Sequence, residues 1–528
     1  MSRSVTSVRA AVWREIRTST VVVTILVGGV IEIGLRSYVA SGGAAGMLGL
    51  QPLVQNPAVA ALYGRVDNLN NGGVFVVWKM GAFLLMAIAL WEALSATRLT
   101  RAHEDDGSWD MMVIGRRERG SVLRTTSLVL GEMGLVVAGA SWLVAWVGRQ
   151  SPVGAMYFAL GVLAAAWSGA AIGLLAAQVA APRRAASQAA LVIVVGAFFV
   201  RVIADANSSS EWLRDATFFG WIEKVGAFQT PDAWALIPAL AAPLVATCAV
   251  WWLQGRRDAG GALWIHADSA SPRPFLLGST WSFAWRERSS VWRWWTLGLG
   301  VFGGILGYLT NALVSLSRTD PAYVALLDRW GLGAMVSGVG FVALGAAVMS
   351  VAFSFLVASW IVSVASDEVK GRLDVALATG PRRVVWLLSA VATALFAVIL
   401  ADVVTTLTMW SGVRLGGTHL PLSVVAQALA SSLGLVPFMV GGALCLVGYA
   451  PRVAFAISAI FILVQYVVQA LGPILHWPAL LLESDPFHYL RDVPVQAFDV
   501  GGVVGLSLVG VGLGAFGLRR YARRDVVS

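Results

Sequence analysis

Apolar runs of about twenty residues recur along the whole chain, separated by short polar stretches. The first, "TVVVTILVGGVIEIGLRSYVA" (20–40), sets the type. A run of this length crosses a hydrocarbon core of ~30 Å as one helix. Bounding the runs by charge, Gly or Pro predicts twelve transmembrane helices. The first six cover about 19–40, 73–97, 124–147, 153–181, 186–205 and 233–254. The second six cover about 293–313, 335–364, 384–410, 422–447, 452–472 and 498–518.

Charge tests this division. With the N-terminus taken as cytoplasmic, the segments on that side carry 27 Lys and Arg and the alternate segments carry 8; only Arg36, Lys79 and Arg201 fall inside spans. This bias is what the positive-inside rule requires of an even number of spans with both termini cytoplasmic. A cleaved signal peptide is rejected for the first run, because the segment before it has an internal counterpart.

That counterpart belongs to a tandem repeat. At a shift of 264, "NPAVAALYG" (56–64) meets "DPAYVALLD" (320–328), and Glu104, Gly107 and Asp110 meet Glu368, Gly371 and Asp374. Near the start of each half the shift is 272, where "VWREIR" (12–17) meets "AWRERS" (284–289). Near each end it is 268, where "FFGWIE" (218–223) lies over "PFHYLR" (486–491). Four matches in one order at the same topological places predict a repeat. Six spans per half give parallel repeats, related by an axis along the membrane normal, around a central cavity. The expected layout is an all-α polytopic membrane protein. Its first six-helix half is 1–254, a cytoplasmic linker is 255–280, and its second half is 281–528. Before the first span Val5, Val8, Val12 and Ile16 share a helical face opposite Arg3, Arg14 and Arg17, with Arg9 out of pattern. An interfacial amphipathic helix is expected there, and again at the second "WRE".

Composition fits this class. The chain has 528 residues, 58% of them hydrophobic and 13% charged, with mean hydropathy +0.75, too apolar for a soluble protein. The net charge of +9 reads as topology and not as a nucleic-acid surface. Cys248 and Cys445 sit inside apolar runs and the five histidines are scattered, so neither a disulfide scaffold nor a metal site is expected. No catalytic constellation stands out. A phosphate-binding loop needs Gly-Lys-Ser/Thr, and Lys79, Lys224 and Lys370 follow Trp, Glu and Val. ATP hydrolysis is therefore not expected on this chain.

Two charged islands interrupt the apolar pattern: "HEDDGSWDMMVIGRRERG" (103–120) and "SDEVKGRLDVALATGPRR" (366–383). Both follow the second span of a half. Acid, Gly and acid at i, i+3 and i+6 fall near one face of a short helix. A docking surface for a cytoplasmic partner and a solvated loop that sets topology both fit. Inside the spans, Glu32 and Arg36 can pair at i, i+4, and Lys79, Glu132 and Asp402 stand without an evident partner in the sequence. Trp78, Phe83 and Trp91 on the second span can line a path, or serve packing and lipid contact.

The "WRE" segments (Trp13, Arg14, Glu15; Trp285, Arg286, Glu287), the Glu-x-x-Gly loops "EDDG" and "EVKG", and the polar stretch between fifth and sixth spans resemble the permease of an ABC-2-type exporter. Within that class they are similar to the tandem-fused, tetronasin-like antibiotic and multidrug branch. The resemblance implies elbow helices at the two "WRE" segments. It implies coupling helices at Glu104, Gly107, Asp110, Glu368, Gly371 and Asp374. It implies a separate cytoplasmic ABC ATPase, a homodimer, that binds ATP and Mg; this chain itself takes no cofactor. The cargo would be hydrophobic or amphiphilic small molecules exported across a bacterial inner membrane, with no role for nucleic acid. The aromatic segments 206–232 and 473–497, with Phe219, Trp221, Phe487 and Tyr489, would form an external gate. The alternative is a proton-coupled secondary transporter of the major facilitator type. A membrane-embedded lipid-modifying enzyme is a third class, but the longest external segments lack clustered acids or histidines.

Overall fold

A computed structural model describes residues 2–54, 59–60, 63–105, 107, 119–180, 183–206, 208–256, 278–319, 321–329, 333–369, 382–472, 477–490 and 492–524. The regular elements among them are helices. The chain divides into two compact units, Met1–Ala270 and Ser271–Ser528. Most of the expected linker, 257–277, lies outside the described residues.

Unit 1 holds α1 (Ser2–Ala40), α2 (Gly72–Asp105), α3 (Arg119–Val147), α4 (Pro152–Val179), α5 (Arg183–Ala206) and α6 (Ala233–Gln254). Unit 2 holds α7 (Ser289–Thr319), α8 (Gly338–Val369), α9 (Arg383–Leu415), α10 (Leu422–Tyr449), α11 (Ala454–Leu471) and α12 (Val500–Arg523). Eleven of these are long and apolar enough to cross a membrane; α11 is the shorter one. This is a multi-pass membrane protein.

The first expected elbow is not a separate helix. No Gly or Pro interrupts residues 2–27, so α1 runs unbroken for 39 residues. That is about 58 Å of helix, nearly twice the ~30 Å hydrocarbon core. Nor does its apolar face lie on lipid. Val8, Val12 and Ile16 are buried against Val122, Leu123 and Leu130 of α3, Leu174 of α4 and Val250 of α6. In unit 2 a separate helix does precede the first span, Thr280–Glu287. Ser279 caps it, accepting from the Ser282 N–H while Ser282 reciprocates.

Within each unit the first helix packs on the third, the second on the fourth and the fourth on the sixth. Small residues make the tight crossings. A Cβ on Gly169 of α4 would lie 2.1 Å from the Ala89 carbonyl oxygen of α2. One on Gly441 of α10 would lie 1.8 Å from the Gly510 carbonyl oxygen of α12. Lipid tails are as apolar as leucine, so helices in a bilayer associate through such close backbone contact. The helices most enclosed are α4 in unit 1 and α8 in unit 2.

Candidate functional site

The charged island of unit 1 begins where α2 ends, in a widened π-turn at Arg98–Ala102. Such a turn holds one extra residue and re-aims the side chains beyond it. Arg101, 3% exposed, is held there between Glu104 (2.7 Å) and Asp105 (3.4 Å). Asp105 also accepts from the Arg183 N–H at 2.7 Å, tying the end of α2 to the start of α5. Glu15 reaches across from α1 to Arg98 and His103, 3.0 Å each. Two residues earlier, the Trp13 indole donates to Glu132 of α3, which also pairs with Arg9. Arg14 is exposed. The expected short helix through Glu104, Gly107 and Asp110 stops early. Gly107 has φ +69, the left-handed conformation that closes a helix, and its N–H bonds the Glu104 carbonyl. Asp110 lies outside the described residues.

Unit 2 is built differently at the equivalent place. The sequence predicts exposed, loop-borne glutamates, and the structure corrects this. Glu368 is 1% exposed, because α8 continues as helix to Val369 and is covered by the start of α9 and the end of α12. Its carboxylate bridges Arg383 of α9 (2.5 Å) and Arg524 beyond α12 (2.7 Å). Both guanidinium groups also approach the buried Tyr521 ring, at 4.2 and 5.4 Å from its centroid. Glu104, 12% exposed, is likewise no free surface group. Gly371 and Asp374 lie outside the described residues. Next to Glu368, Asp367 pairs with Arg288 at 3.4 Å. Trp285 stacks on Trp292 (4.8 Å) and meets Phe396 of α9 edge-on. Arg286 and Glu287 complete the last turn of the short helix. Thus in unit 1 the "WRE" segment is charge-paired to the end of the second span through Glu15, and in unit 2 the residue just after it, Arg288, makes the pair with Asp367.

The opposite end of unit 1 contains a cavity. Its walls include Trp78 of α2, Tyr157 of α4, Phe198 of α5 and Phe219 of the short helix Phe218–Lys224. Trp78 sits in a second π-turn of α2, Val77–Gly81. Phe83 packs behind the wall, 6.2 Å from the Tyr63 ring and 5.9 Å from Phe198. Trp91 is not at the cavity; it packs deeper, beside Leu130 and Met133. Trp221 is half-exposed, and its indole donates to the Asp215 carbonyl.

Beside the aromatic wall runs a buried ion network that sequence reasoning missed. Arg201 bonds Asp205 (2.7 Å) and Glu223 (3.0 Å), and Arg214 bonds Asp205 (2.6 Å). The Arg65 N–H donates to Glu223 at 2.7 Å. Gly64, at φ +101, lets the chain pass this pair; a Cβ there would lie 2.5 Å from the Arg201 guanidinium. Burial alone would raise the Glu223 carboxyl, but Arg201 and the Arg65 N–H hold it below the ordinary carboxylate value. The i, i+4 spacing in "RVIAD" was the available signal. Glu92, buried in α2 with no hydrogen-bond partner for either oxygen, was also missed, though it is an acid inside a predicted span.

In unit 2 the corresponding segment forms helices Ala479–Glu483 and Pro486–Leu490. Phe487 is buried, and the Tyr489 hydroxyl donates to the Glu483 carbonyl. Asp485 accepts from the Phe487 N–H, much as Thr217 accepts from the Gly220 N–H at the start of Phe218–Lys224. Burial pushes the Asp485 carboxyl up to about 6. A carboxyl raised on folding binds its proton more tightly in the folded state. Its contribution is therefore full below the ordinary value and is lost as pH climbs toward 6. Amide-exchange protection of 479–490, corrected for intrinsic rates, should fall roughly tenfold between pH 4.5 and 7. Asp485→Asn should flatten that profile, and a flat wild-type profile would contradict the assignment.

The model of the multidrug efflux system permease Rv1217c, C-terminal domain, matches residues 277–522, nearly all of unit 2. Over 483 residues the chain is 26% identical to the multidrug efflux system permease protein Rv1217c of Mycobacterium tuberculosis (strain ATCC 25618 / H37Rv), covering 90% of this chain and 86% of that protein. That similarity runs through both units. With the apolar helices, it supports a transport permease and not an enzyme.

Proposed function

We propose that the chain is the membrane-spanning permease subunit of an ATP-driven ABC-2-type exporter, in the tandem-fused, tetronasin-like branch. It sits in a bacterial inner membrane with both termini cytoplasmic and moves hydrophobic or amphiphilic compounds outward. Multidrug efflux, the activity in the name of its mycobacterial relative, is the activity we assign. The observation that carries this reading is the paired clamp between each "WRE" segment, or the residue just after it, and the end of the second span. Such a clamp transmits a push on the island to the first and third helices as one body. The islands 103–120 and 366–383 then meet a homodimeric ATPase, which holds ATP and Mg, with Glu104, Gly107, Asp110, Gly371 and Asp374 as coupling positions and the buried Glu368 tying the helix ends behind them. The segments bearing Phe219, Trp221, Phe487 and Tyr489 form the external gate.

The purified chain should hydrolyse no ATP. Co-expressed with its separately encoded ATPase it should co-purify, and a hydrophobic drug should stimulate hydrolysis in liposomes. Efflux that survives ATP depletion while a proton gradient is kept would instead establish the proton-coupled secondary transporter.

A further inference from the structure

The cavity of unit 1 has three features that ATP-driven export does not require. Its wall includes aromatic residues from four elements: Trp78, Tyr157, Phe198 and Phe219. Aromatic faces and edges grip flat apolar ligands. The charges that reach it are already satisfied: Arg201 is bonded to Glu223 and Asp205, and the Arg65 guanidinium to the Asp205 carbonyl (3.3 Å) and Glu211 (3.6 Å). A charged ligand would have to break that network; a neutral one would not. The third feature is a donor. Trp78 is 4% exposed, and its buried indole N–H has no hydrogen-bond partner. A desolvated donor without an acceptor is unfavourable, and a ligand acceptor relieves it.

One stretch of the wall is strained. Val225, Gly226, Ala227 and Gln229 line the cavity, and between them Phe228 adopts φ +67. A bulky residue in the left-handed region is a genuine outlier and persists only where packing imposes it. Here the packing is a seat of two glycines: a Cβ on Gly73 or on Gly154 would lie 2.5 Å from the Phe228 ring. The same turn is tied to the strand of chain before α2, by the Asp67 N–H to the Gln229 side chain (3.0 Å) and by the Asn71 amide to the Phe228 carbonyl (3.3 Å). Withdrawing the ring from its seat relaxes the backbone and moves the wall together.

We propose that this cavity, about 60 Å³ with the 225–229 turn in place, opens when that turn withdraws, Phe228 being its latch, into a binding site for a neutral, flat, apolar compound with one hydrogen-bond acceptor, received by the Trp78 indole N–H. The proposal rests on the export reading only in calling the ligand a cargo; binding itself needs neither ATPase nor nucleotide.

The test uses the full chain in detergent, without ATPase or ATP, photolabelled with benzophenone and mapped by peptide mass spectrometry. Saturable label should fall on 77–85, 157–161 and 219–229. Fluorenone should compete roughly tenfold better than fluorene, which has the same shape and no acceptor, as one hydrogen bond is worth. Trp78→Phe should erase that tenfold preference. Phe228→Gly, which takes positive φ without strain, should speed labelling severalfold. Unsaturable label spread over the outer helix faces would overturn the site. Equal competition by fluorenone and fluorene in the wild type would overturn the donor, even if Trp78→Phe failed to fold. An unchanged rate in Phe228→Gly would overturn the latch. Binding found here with no ATP-driven efflux would sink the export reading and leave the site standing.

Discussion

Replacing Glu368 with alanine should destabilise unit 2 by about 3–5 kcal/mol, the usual cost of leaving one side of a buried ion pair uncompensated. Two guanidinium groups, Arg383 and Arg524, lose their shared carboxylate at a site only 1% exposed. Glu104→Ala should cost far less, about 1 kcal/mol, since Arg101 keeps Asp105 at 3.4 Å. Each unit carries one free cysteine, Cys248 in α6 and Cys445 in α10. Thiol-dye melting of a Cys248→Ala background therefore reports unit 2 through Cys445. The midpoint should drop strongly for Glu368→Ala, and Arg524→Ala should reproduce part of the drop. An unchanged midpoint for Glu368→Ala would mean that the buried triad carries no stability. Charge reversal at Glu368 is accordingly a poor probe of partner docking, because misfolding would precede any lost contact; Glu104 is the better position.

Arg201→Leu should have an effect of similar size in unit 1, again about 3–5 kcal/mol near neutral pH. It leaves Asp205, fully buried, and Glu223, 16% exposed, without the cation between them. The sign of its pH dependence is distinctive. In the wild type, the Glu223 carboxyl held below its ordinary value contributes stability above that value and loses it as acid protonates the folded form. In the variant the Arg65 N–H still favours the anion, but burial prevails and raises the carboxyl, so acid should restore stability. Melting of unit 1 followed by limited proteolysis and peptide mass spectrometry should show the gap between wild type and Arg201→Leu narrowing from pH 7.5 to pH 5. A gap that widened on acidification would contradict the pairing.

Both sites were partly legible in the sequence. The duplicated Glu-x-x-Gly islands and "WRE" segments fall at helix ends that charged contacts tie together. Their exposure was not legible. Charge in a predicted loop reads as solvated, yet α8 extends far enough for Glu368 to meet Arg524, which stands 156 residues away. The aromatic candidates divided for a similar reason. Trp78 and Trp91 lie on one helix, but thirteen residues apart they sit about 140° round its axis, so Trp78 lines the cavity and Trp91 packs beside Leu130 and Met133.

By itself the sequence determined the class of protein, the approximate bounds of its apolar helices, and where polar chemistry interrupts them. Those follow residue by residue from the length of chain that a bilayer can hold. Only the tertiary structure decided which polar groups meet. Trp13 finds Glu132 across 119 residues, and the Arg65 N–H finds Glu223 across 158. Such pairs depend on the rotation and depth of each helix, which small-residue crossings such as Gly169 on Ala89 set to within an ångström. Hydropathy is blind to both quantities, since an apolar run satisfies the membrane at any rotation.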